Sequence, residues 1–350
     1  MKVIIQIPCL NEAESLPLTL AELPRQLQGV DAVEWLVIDD GSQDATVETA
    51  IAHGVDHVIS HIKNLGLAQA FISGINASVY FGADIIVNTD ADNQYYAADI
   101  QKLIDPILRG EAEYVVGTRP IGQMRHFSPL KKLLQIFGSW VVRKISRTQV
   151  EDAPSGFRAI TRNAALHLHV FNRYTYTLET VIQAGRMHLP TISVPVRTNQ
   201  DLRVSRLITS IFKYVLRSLV TIIRSFMTYE PLRFFITPGM LLFFTAFILG
   251  IRYMFFYVRG EGAGHVQSLL LALGLVILGT AFIIVGLLAD LIAVNRRLLE
   301  DMDYRVKALQ IQIDGSRLAG MHQKVFSRAY LKYTTAPGVG RQGTTTTREK

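Results

Sequence analysis

Ile86-Val87-Asn88-Thr89-Asp90-Ala91-Asp92-Asn93-Gln94 closes an apolar, β-branched segment with two carboxylates one residue apart and a Gln two further on. On an extended chain, residues two apart point to the same side. Asp90, Asp92 and Gln94 are therefore expected to present hard oxygens to one divalent cation while Ala91 faces away. Mg²⁺ or Mn²⁺ held in this way takes one or two carboxylates and completes its shell with water and substrate phosphates. Two solvated aspartates in a turn would give the same letters, so the neighbouring segments must decide.

Working outward, Lys2-Val3-Ile4-Ile5-Gln6-Ile7-Pro8 reads as a buried strand, and Asn11-Glu12-Ala13-Glu14 as a capping-box-like helix start. Leu16, Leu20, Leu23 and Leu27 recur at helical spacing, with Pro17 and Pro24 limiting the helix. Trp35-Leu36-Val37-Ile38 is a second strand running into Asp39-Asp40-Gly41-Ser42, a sharp turn that exposes two carboxylates at the strand's carboxyl end. Ligands of open α/β sheets bind there. A strand at 57–60, a helix at 66–80, a strand at 84–88, a helix at 97–109 and the strand Tyr114-Val115-Val116-Gly117 continue the alternation. Such alternation predicts a parallel sheet with right-handed crossovers.

These pieces together resemble the family 2 glycosyltransferases over residues 1–206. Ile7-Pro8-Cys9-Leu10-Asn11-Glu12 looks like that family's opening nucleotide-contacting segment, Asp39-Asp40-Gly41-Ser42 like its second, and Asn64-Leu65-Gly66-Leu67-Ala68 like the glycine-containing turn that follows. Asp90-Ala91-Asp92-Asn93-Gln94 falls where the metal motif should. Gly117-Thr118-Arg119 and Asp152-Ala153-Pro154-Ser155-Gly156-Phe157-Arg158 resemble the segments around donor sugar and acceptor. The implied fold is a GT-A-like, Rossmann-like, mostly parallel sheet. It would be followed by interfacial amphipathic helices and a two-helix transmembrane hairpin.

The subgroup that loads sugars onto polyprenyl phosphate is the most similar, and Gln94 supports it. Asn93 stands where that subgroup usually has Leu, and Tyr95-Tyr96 where it often has His-Pro. The tract from Arg197 to Arg206 resembles its arginine-containing loop but lacks the usual glycine, so the equivalent arginine stays open among Arg197, Arg203 and Arg206. The resemblance implies inverting transfer of one sugar from a UDP- or GDP-linked donor to undecaprenyl or dolichyl phosphate. The product would be a polyprenyl-phosphate sugar for glycan assembly. It places Pro8, Leu10, Glu12, Asp39, Asp40, Gly66, Asp90, Ala91 and Arg119 on the nucleotide sugar. Catalytic positions fall to Asp92, Asp152, Glu179 and Arg158. Arg119, Lys131 or Lys132, and Arg203 or Arg206 can give an acceptor phosphate charge-assisted hydrogen bonds. That phosphate, with a second pKa near 6, is largely dianionic at pH 7. A strong general base is then unnecessary, and Asp152 and Glu179 are expected to orient substrate and arginines.

Composition accounts for the rest. The chain has 350 residues, 49% of them hydrophobic, with a mean hydropathy of +0.24, too apolar for an ordinary soluble enzyme. The runs 234–258 and 268–294 are each long enough to cross a hydrocarbon core of roughly 30 Å, which needs about 20 helical residues. Arg233 precedes the first and Arg296-Arg297 follow the second, while the joining loop balances Arg259 against Glu261. That bias puts both ends and the catalytic part in the cytoplasm of a multi-pass cell-membrane protein. The expected organisation is a glycosyltransferase domain over 1–202 with an interfacial helix at 127–147, then a juxtamembrane amphipathic helix at 203–230. The two spans come next, and 295–350 is read as a helix and flexible tail. Basic residues Arg206, Lys213, Arg217 and Arg224 recur near one helical face amid apolar ones, which suits anionic headgroups.

Several classes are excluded. One cysteine, Cys9, permits neither an internal disulfide nor a cysteine-based zinc cluster. No His-Glu-X-X-His or Walker-type loop occurs, and Lys2 to Pro8 reads as a strand, not a signal sequence. Net charge is +7, but apolar residues interleave the basic ones instead of stacking residues, against nucleic acid. A polysaccharide synthase would carry Gln-X-X-Arg-Trp, and neither Trp35 nor Trp140 stands in one. An inactive membrane scaffold would have little use for Asp40, both motif aspartates and Gln94. The residues leave open which sugar is used and whether the chain forms a homo-oligomer.

Overall fold

The computed structural model describes residues 1–120, 129–170, 176–199, 220, 223–224, 226–317 and 331–335. They belong to two compact units, Met1–Val215 with Tyr304–Lys350, and Leu216–Asp303.

In the first unit the parallel strands β1 (Lys2–Cys9), β2 (Ala32–Asp39), β3 (His57–His61) and β4 (Ile85–Asn88) alternate with helices α1 (Leu16–Glu22), α2 (Thr46–Ala52) and α3 (Leu67–Tyr80). A single 3₁₀ turn, Ala97–Asp99, leads into α4 (Ile100–Leu108), and β5 (Tyr114–Thr118) follows. Then come α5 (Pro129–Ser146), β6 (Arg158–Thr161), α6 (Arg162–His167), α7 (Thr177–Arg186) and β7 (Thr191–Pro195). The sheet runs β7-β5-β6-β4-β1-β2-β3, and β8 (Leu331–Thr335) closes its far edge against β3.

The central strands are buried on both faces, which is why they read as unbroken apolar runs. Val3, Ile5 and Ile7 join Leu16, Leu20, Leu103 and Ile104 in one core cluster. The alternate residue Gln6, with Ile38 of β2, turns to α3, where a Cβ on Gly74 would lie 2.7 Å from Ile38 Cδ1. The chain places β2 and β3 on one side of β1 and then β4 on the other, so the strand order reverses at β1. Such a switch point opens a crevice at the carboxyl ends of the strands. Register aligns those ends, Cys9 facing Asp39 and Gln6 facing Asn88.

Two expectations change, while the sheet is mostly parallel as expected, with β8 antiparallel at its edge and β6 antiparallel between β4 and β5. That short strand hides in the sequence inside a stretch that reads as a binding loop. α1 begins at Leu16 with Ser15 as its N-cap, not at Asn11, whose φ of +55° is non-helical. Finally, the run 295–317 is not a separate helix.

In the second unit α8 (Pro231–Val258) and the apolar part of α9 (Val266–Arg317) are two helices long and apolar enough to cross a membrane. α9 continues unbroken for 52 residues, far beyond its apolar run. The two helices pack closely at Gly239 and Gly279, where a Cβ on Gly279 would lie 3.1 Å from the Gly239 carbonyl oxygen. Small residues allow backbones to meet where no hydrophobic force drives association. The juxtamembrane stretch 203–219 lies outside the described residues. Gly279→Val should lower the thermal midpoint of the detergent-solubilised protein by the equivalent of about 1–3 kcal/mol of overpacking. Gly274→Val, which points into open space, should leave that midpoint within error, and equal effects would contradict the packing.

Candidate active site

The first wall of the crevice comes from the ends of β1 and β2. Pro8 is buried and Leu10 is exposed. Two loops are zipped there: Asn11 N donates to Ser42 Oγ at 2.8 Å, Gln43 N to Asn11 Oδ1 at 2.9 Å, and Glu12 N to Thr46 Oγ1 at 2.9 Å. Asp39 Oδ1 accepts from Ser42 N at 3.0 Å. Asp40 is more heavily engaged. Its Oδ1 pairs with His61 Nδ1 at 2.7 Å and accepts from Leu65 N at 2.9 Å, and its Oδ2 accepts from Gly66 N at 2.9 Å. Asp40 therefore shapes the turn into α3 instead of offering a free carboxylate. His61, with Nε2 3.0 Å from Ser73 Oγ, completes this buried relay. Sequence reading missed it; the one signal was a titratable residue closing an apolar strand, which needs a partner when buried.

The second wall is the Asp90–Gln94 turn. β4 ends at Asn88, Ala91 and Asp92 turn, and Asn93 takes a φ of +54°. The expected same-side alternation of Asp90, Asp92 and Gln94 is thus not how they are arranged, because that rule requires an extended chain. The turn caps itself, with Gln94 N donating to Asp92 Oδ1 at 3.2 Å. Ala91, buried, gives its carbonyl to Thr19 Oγ1 of α1 at 2.9 Å. Burial first, and the neighbouring Asp92 second, push the Asp90 carboxyl up to about 7, against the fields of Arg119 and Arg158. Two carboxylates that resist joint ionisation suit a divalent cation. Among the described residues no group of three His, Cys, Asp or Glu could hold a metal by itself, which would leave the remaining positions to water and phosphates.

Behind the turn lies the 152–158 segment. A Cβ on Gly156 would sit 2.9 Å from both Asp90 carboxylate oxygens, so only glycine permits this approach. Gly156 N donates to Tyr95 Oη at 2.9 Å, and Tyr95 stacks on Phe157 at 4.8 Å between centroids. Asp152 is fully buried and grips Arg119 through Nε at 2.7 Å and Nη2 at 3.0 Å. Arg158 has no exposure at all. It donates from Nε to Ser155 O and from Nη2 to Ala153 O, both at 2.8 Å, from Nη1 to Thr180 Oγ1 at 2.6 Å, and also to Tyr114 Oη. A catalytic contact is expected of Arg158 on sequence; the structure gives it a positioning role, shaping the loop from beneath.

Of the residues expected to meet the acceptor, Glu179 lies in the first turn of α7, partly exposed, and Lys131 and Lys132 lie in the first turn of α5. Arg203 and Arg206 lie outside the described residues. Arg197 is bound elsewhere: Nη2 donates to Asp99 Oδ1 at 2.6 Å, and its guanidinium lies 3.9 Å over the Tyr96 ring.

The glycosyl transferase family 2 model matches residues 4–175. The UDP-N-acetylglucosamine–dolichyl-phosphate N-acetylglucosaminyltransferase of Methanococcus voltae is 30% identical over 216 residues, which are 55% of this chain and 83% of that protein. The chain belongs to glycosyl transferase family 2. Another relative is the undecaprenyl-phosphate mannosyltransferase of Micrococcus luteus, 28% identical over 206 residues, covering 56% of this chain and 83% of that one. Among solved structures, glucosyl-3-phosphoglycerate synthase from Mycobacterium tuberculosis aligns at a TM-score of 0.50 and 20% identity, over 63% of this chain and 79% of its own. The sheet of this glycosyltransferase is accordingly GT-A-like.

The Arg197–Asp99 pair of this glycosyltransferase makes its stability depend on pH. Burial opposes ionisation of Asp99, but Arg197 and Lys102 outweigh it and bring the carboxyl down to about 2. Since an unfolded Asp titrates near 3.9, the pair's stabilisation is fully present above about pH 4 and is lost as pH falls towards 2. The melting temperature should fall over that window in the wild type and fall less steeply in Asp99→Asn. Equal slopes would show that the pair contributes nothing.

Proposed function

We propose that this glycosyltransferase moves one sugar from a nucleotide sugar to a polyprenyl phosphate, with inversion, at the cytoplasmic face of a membrane. The observation that carries the reading is the Asp90 carboxylate held against the Gly156 backbone at the end of β4, beside the switch point, on the segment whose Asp152 grips Arg119. Relatives named for undecaprenyl-phosphate and dolichyl-phosphate sugar transfer support the acceptor class.

Asp90 and Asp92 would hold Mg²⁺ or Mn²⁺, which when bound neutralises charge on a departing diphosphate. Gly156 lets the Asp90 carboxylate lie flat against the loop, so its direction is set before substrate arrives. Asp152 uses both oxygens to orient the Arg119 guanidinium, whose other donors are available to an anionic substrate. Asp152 is then a positioning residue; the acceptor phosphate, already a dianion, is the nucleophile and needs no base. Glu12, Asp39 and the Gly66 turn line the nucleotide side, and Lys131 or Lys132 and Arg203 or Arg206 would meet the acceptor phosphate.

The membrane reading has support of its own. β8 follows the two apolar helices in sequence and pairs with β3, which precedes them. Segments on either side of the helices thus share one sheet, and only an even number of crossings allows that. The arginines flanking the hairpin favour the cytoplasm for both ends.

Asp92→Asn should remove most activity, and chelation of the wild type should mimic it while the melting temperature stays unchanged. Full activity of the variant in EDTA would sink the metal assignment. Sugar transfer is separated from sugar-phosphate transfer by a donor carrying ³²P at its β-phosphate. Label should stay in a soluble nucleoside diphosphate, because attack at the anomeric carbon makes the diphosphate the leaving group; label in the lipid would overturn the reading.

A further inference from the structure

β3 ends on His61, a residue in none of the sequence motifs, and its imidazole is buried together with the Asp40 carboxylate. Nδ1 lies 2.7 Å from Asp40 Oδ1. An ionised carboxylate can only accept, so Nδ1 carries the proton, and in the neutral ring Nε2 is then an acceptor. It takes a hydrogen bond from Ser73 Oγ of α3 at 3.0 Å. Asp40 spends its remaining capacity on the turn into that same helix, accepting from Leu65 N and Gly66 N at 2.9 Å each. α3 has no side-chain cap of its own, because it starts on Gly66 at a φ of +97°. Its opening turn is therefore fixed by a carboxylate 26 residues away and, through His61, by a hydroxyl about two helical turns further along α3.

This turn meets a second one. Gly41 has a φ of +79°, and a Cβ there would lie 2.8 Å from both Lys63 C and Asn64 N, so the 39–42 and 63–66 backbones touch with no side chain between them. Bonds from Asn11 N to Ser42 Oγ and from Glu12 N to Thr46 Oγ1 continue the unit to the end of β1. The body of α3 is its fixed reference, since Gly74, next to Ser73, packs against Gln6 and Ile38 of the sheet.

We propose that His61 and Ser73 are positioning residues for the donor nucleotide, holding through Asp40 the 63–66 turn against the 39–42 turn on the nucleotide side of the crevice. The proposal rests on the reading of the function given above and extends it to residues that touch no substrate. Loss of the relay frees a turn that must then be ordered on binding, so the cost falls on nucleotide affinity. The Asp90–Gln94 turn follows β4, on the other side of β1, and turnover of bound donor is therefore spared. A role confined to stability would lower the melting temperature and leave the affinity of the folded protein alone.

The experiment compares the full-length wild type with three variants. His61→Leu removes both bonds of the imidazole. His61→Asn keeps a side-chain N–H that can reach Asp40 from the place of Nδ1 but loses Ser73, and Ser73→Ala removes the outer bond only. Calorimetric titration with UDP and with GDP, each in the presence of Mn²⁺, gives the affinity for whichever nucleotide the wild type binds. His61→Leu should bind it about tenfold more weakly, the lower end of what a hydrogen bond to a charged group contributes. His61→Asn and Ser73→Ala should each fall between it and the wild type. Donor KM should rise in step while kcat stays within about twofold, the pattern of binding lost equally from ground and transition states. Hydrogen exchange at the Leu65 and Gly66 amides should quicken in the same order. Unchanged affinity in a folded His61→Leu, a His61→Asn as weak as His61→Leu, or a fall in kcat with donor KM unchanged would each overturn the proposal. If His61→Leu does not fold, Ser73→Ala decides, and wild-type affinity with wild-type exchange in that variant overturns it. A wild type that binds neither nucleotide would sink the functional reading and the proposal with it, a failure distinct from equal binding by wild type and variants.

Discussion

Asn88 ends β4 with no exposure to solvent and every side-chain polar atom in use. Its Oδ1 accepts from Gln6 Nε2 at 2.9 Å, and its Nδ2 donates to Gly156 O at 2.8 Å and Tyr176 Oη at 2.9 Å. A buried amide left unpaired costs on the order of 1–3 kcal/mol, so this arrangement tolerates few alternatives. It ties β1, β4, the 152–158 segment and the start of α7 to one point, two residues before Asp90. The approach of Gly156 to the Asp90 carboxylate follows from it, since the same glycine gives its carbonyl to Asn88 and its N–H to Tyr95. Phe71 stacks on Tyr176 at 3.8 Å and fixes that phenol from the α3 side. The carboxylate site is therefore held by a polar network inside the sheet as well as by the bonds of the turn itself.

Charge is arranged in the same economical way. Around the crevice the anionic side chains are individually engaged, since Asp40 shapes a turn, Asp152 orients Arg119, Asp99 pins Arg197, and Glu22 joins two segments. Asp90 differs, because the strongest influences on it are burial and a like charge. That asymmetry is what the proposed cation at Asp90 would relieve, and it is a more specific feature than the mere presence of an Asp-X-Asp.

Those differences explain what the sequence could and could not disclose. β1 to β5 were legible because each is a short apolar run ending in turn residues, and the period of the buried positions is local information. The two long apolar helices were legible for the same reason. β6 was not, since four residues, Arg158 to Thr161, carry no period and begin with an arginine whose burial depends on partners at 114, 153, 155 and 180. Asp40 and Arg158 looked like ligand-binding residues because charge in a motif is ambiguous between contacting substrate and building the wall behind it. The hydrogen bonds of Asn93 to Glu22 and Asn199 were signalled only by Asn93 in place of the usual Leu, and reading them required knowing which residue, 106 positions away, would meet it.

The strand β8 completes the sheet from beyond the two apolar helices in sequence. Without β8, β3 would be an open edge of five residues beside the Asp40–His61 relay, and open edges invite pairing with other chains. β8 covers it in full antiparallel register, from His57 opposite Thr335 to His61 opposite Leu331. The chain can deliver that strand only after completing the apolar helices. α9, at about 1.5 Å per residue, is roughly 78 Å long, against the ~30 Å that a bilayer core requires. The surplus turns of α9 carry the chain clear of the apolar run, and Tyr304 in that stretch stacks on His167 of α6 at 3.9 Å between ring centroids. The strand that covers the β3 edge is therefore reached only from the far end of α9, an order of elements that suits the proposed hairpin with both ends on one side.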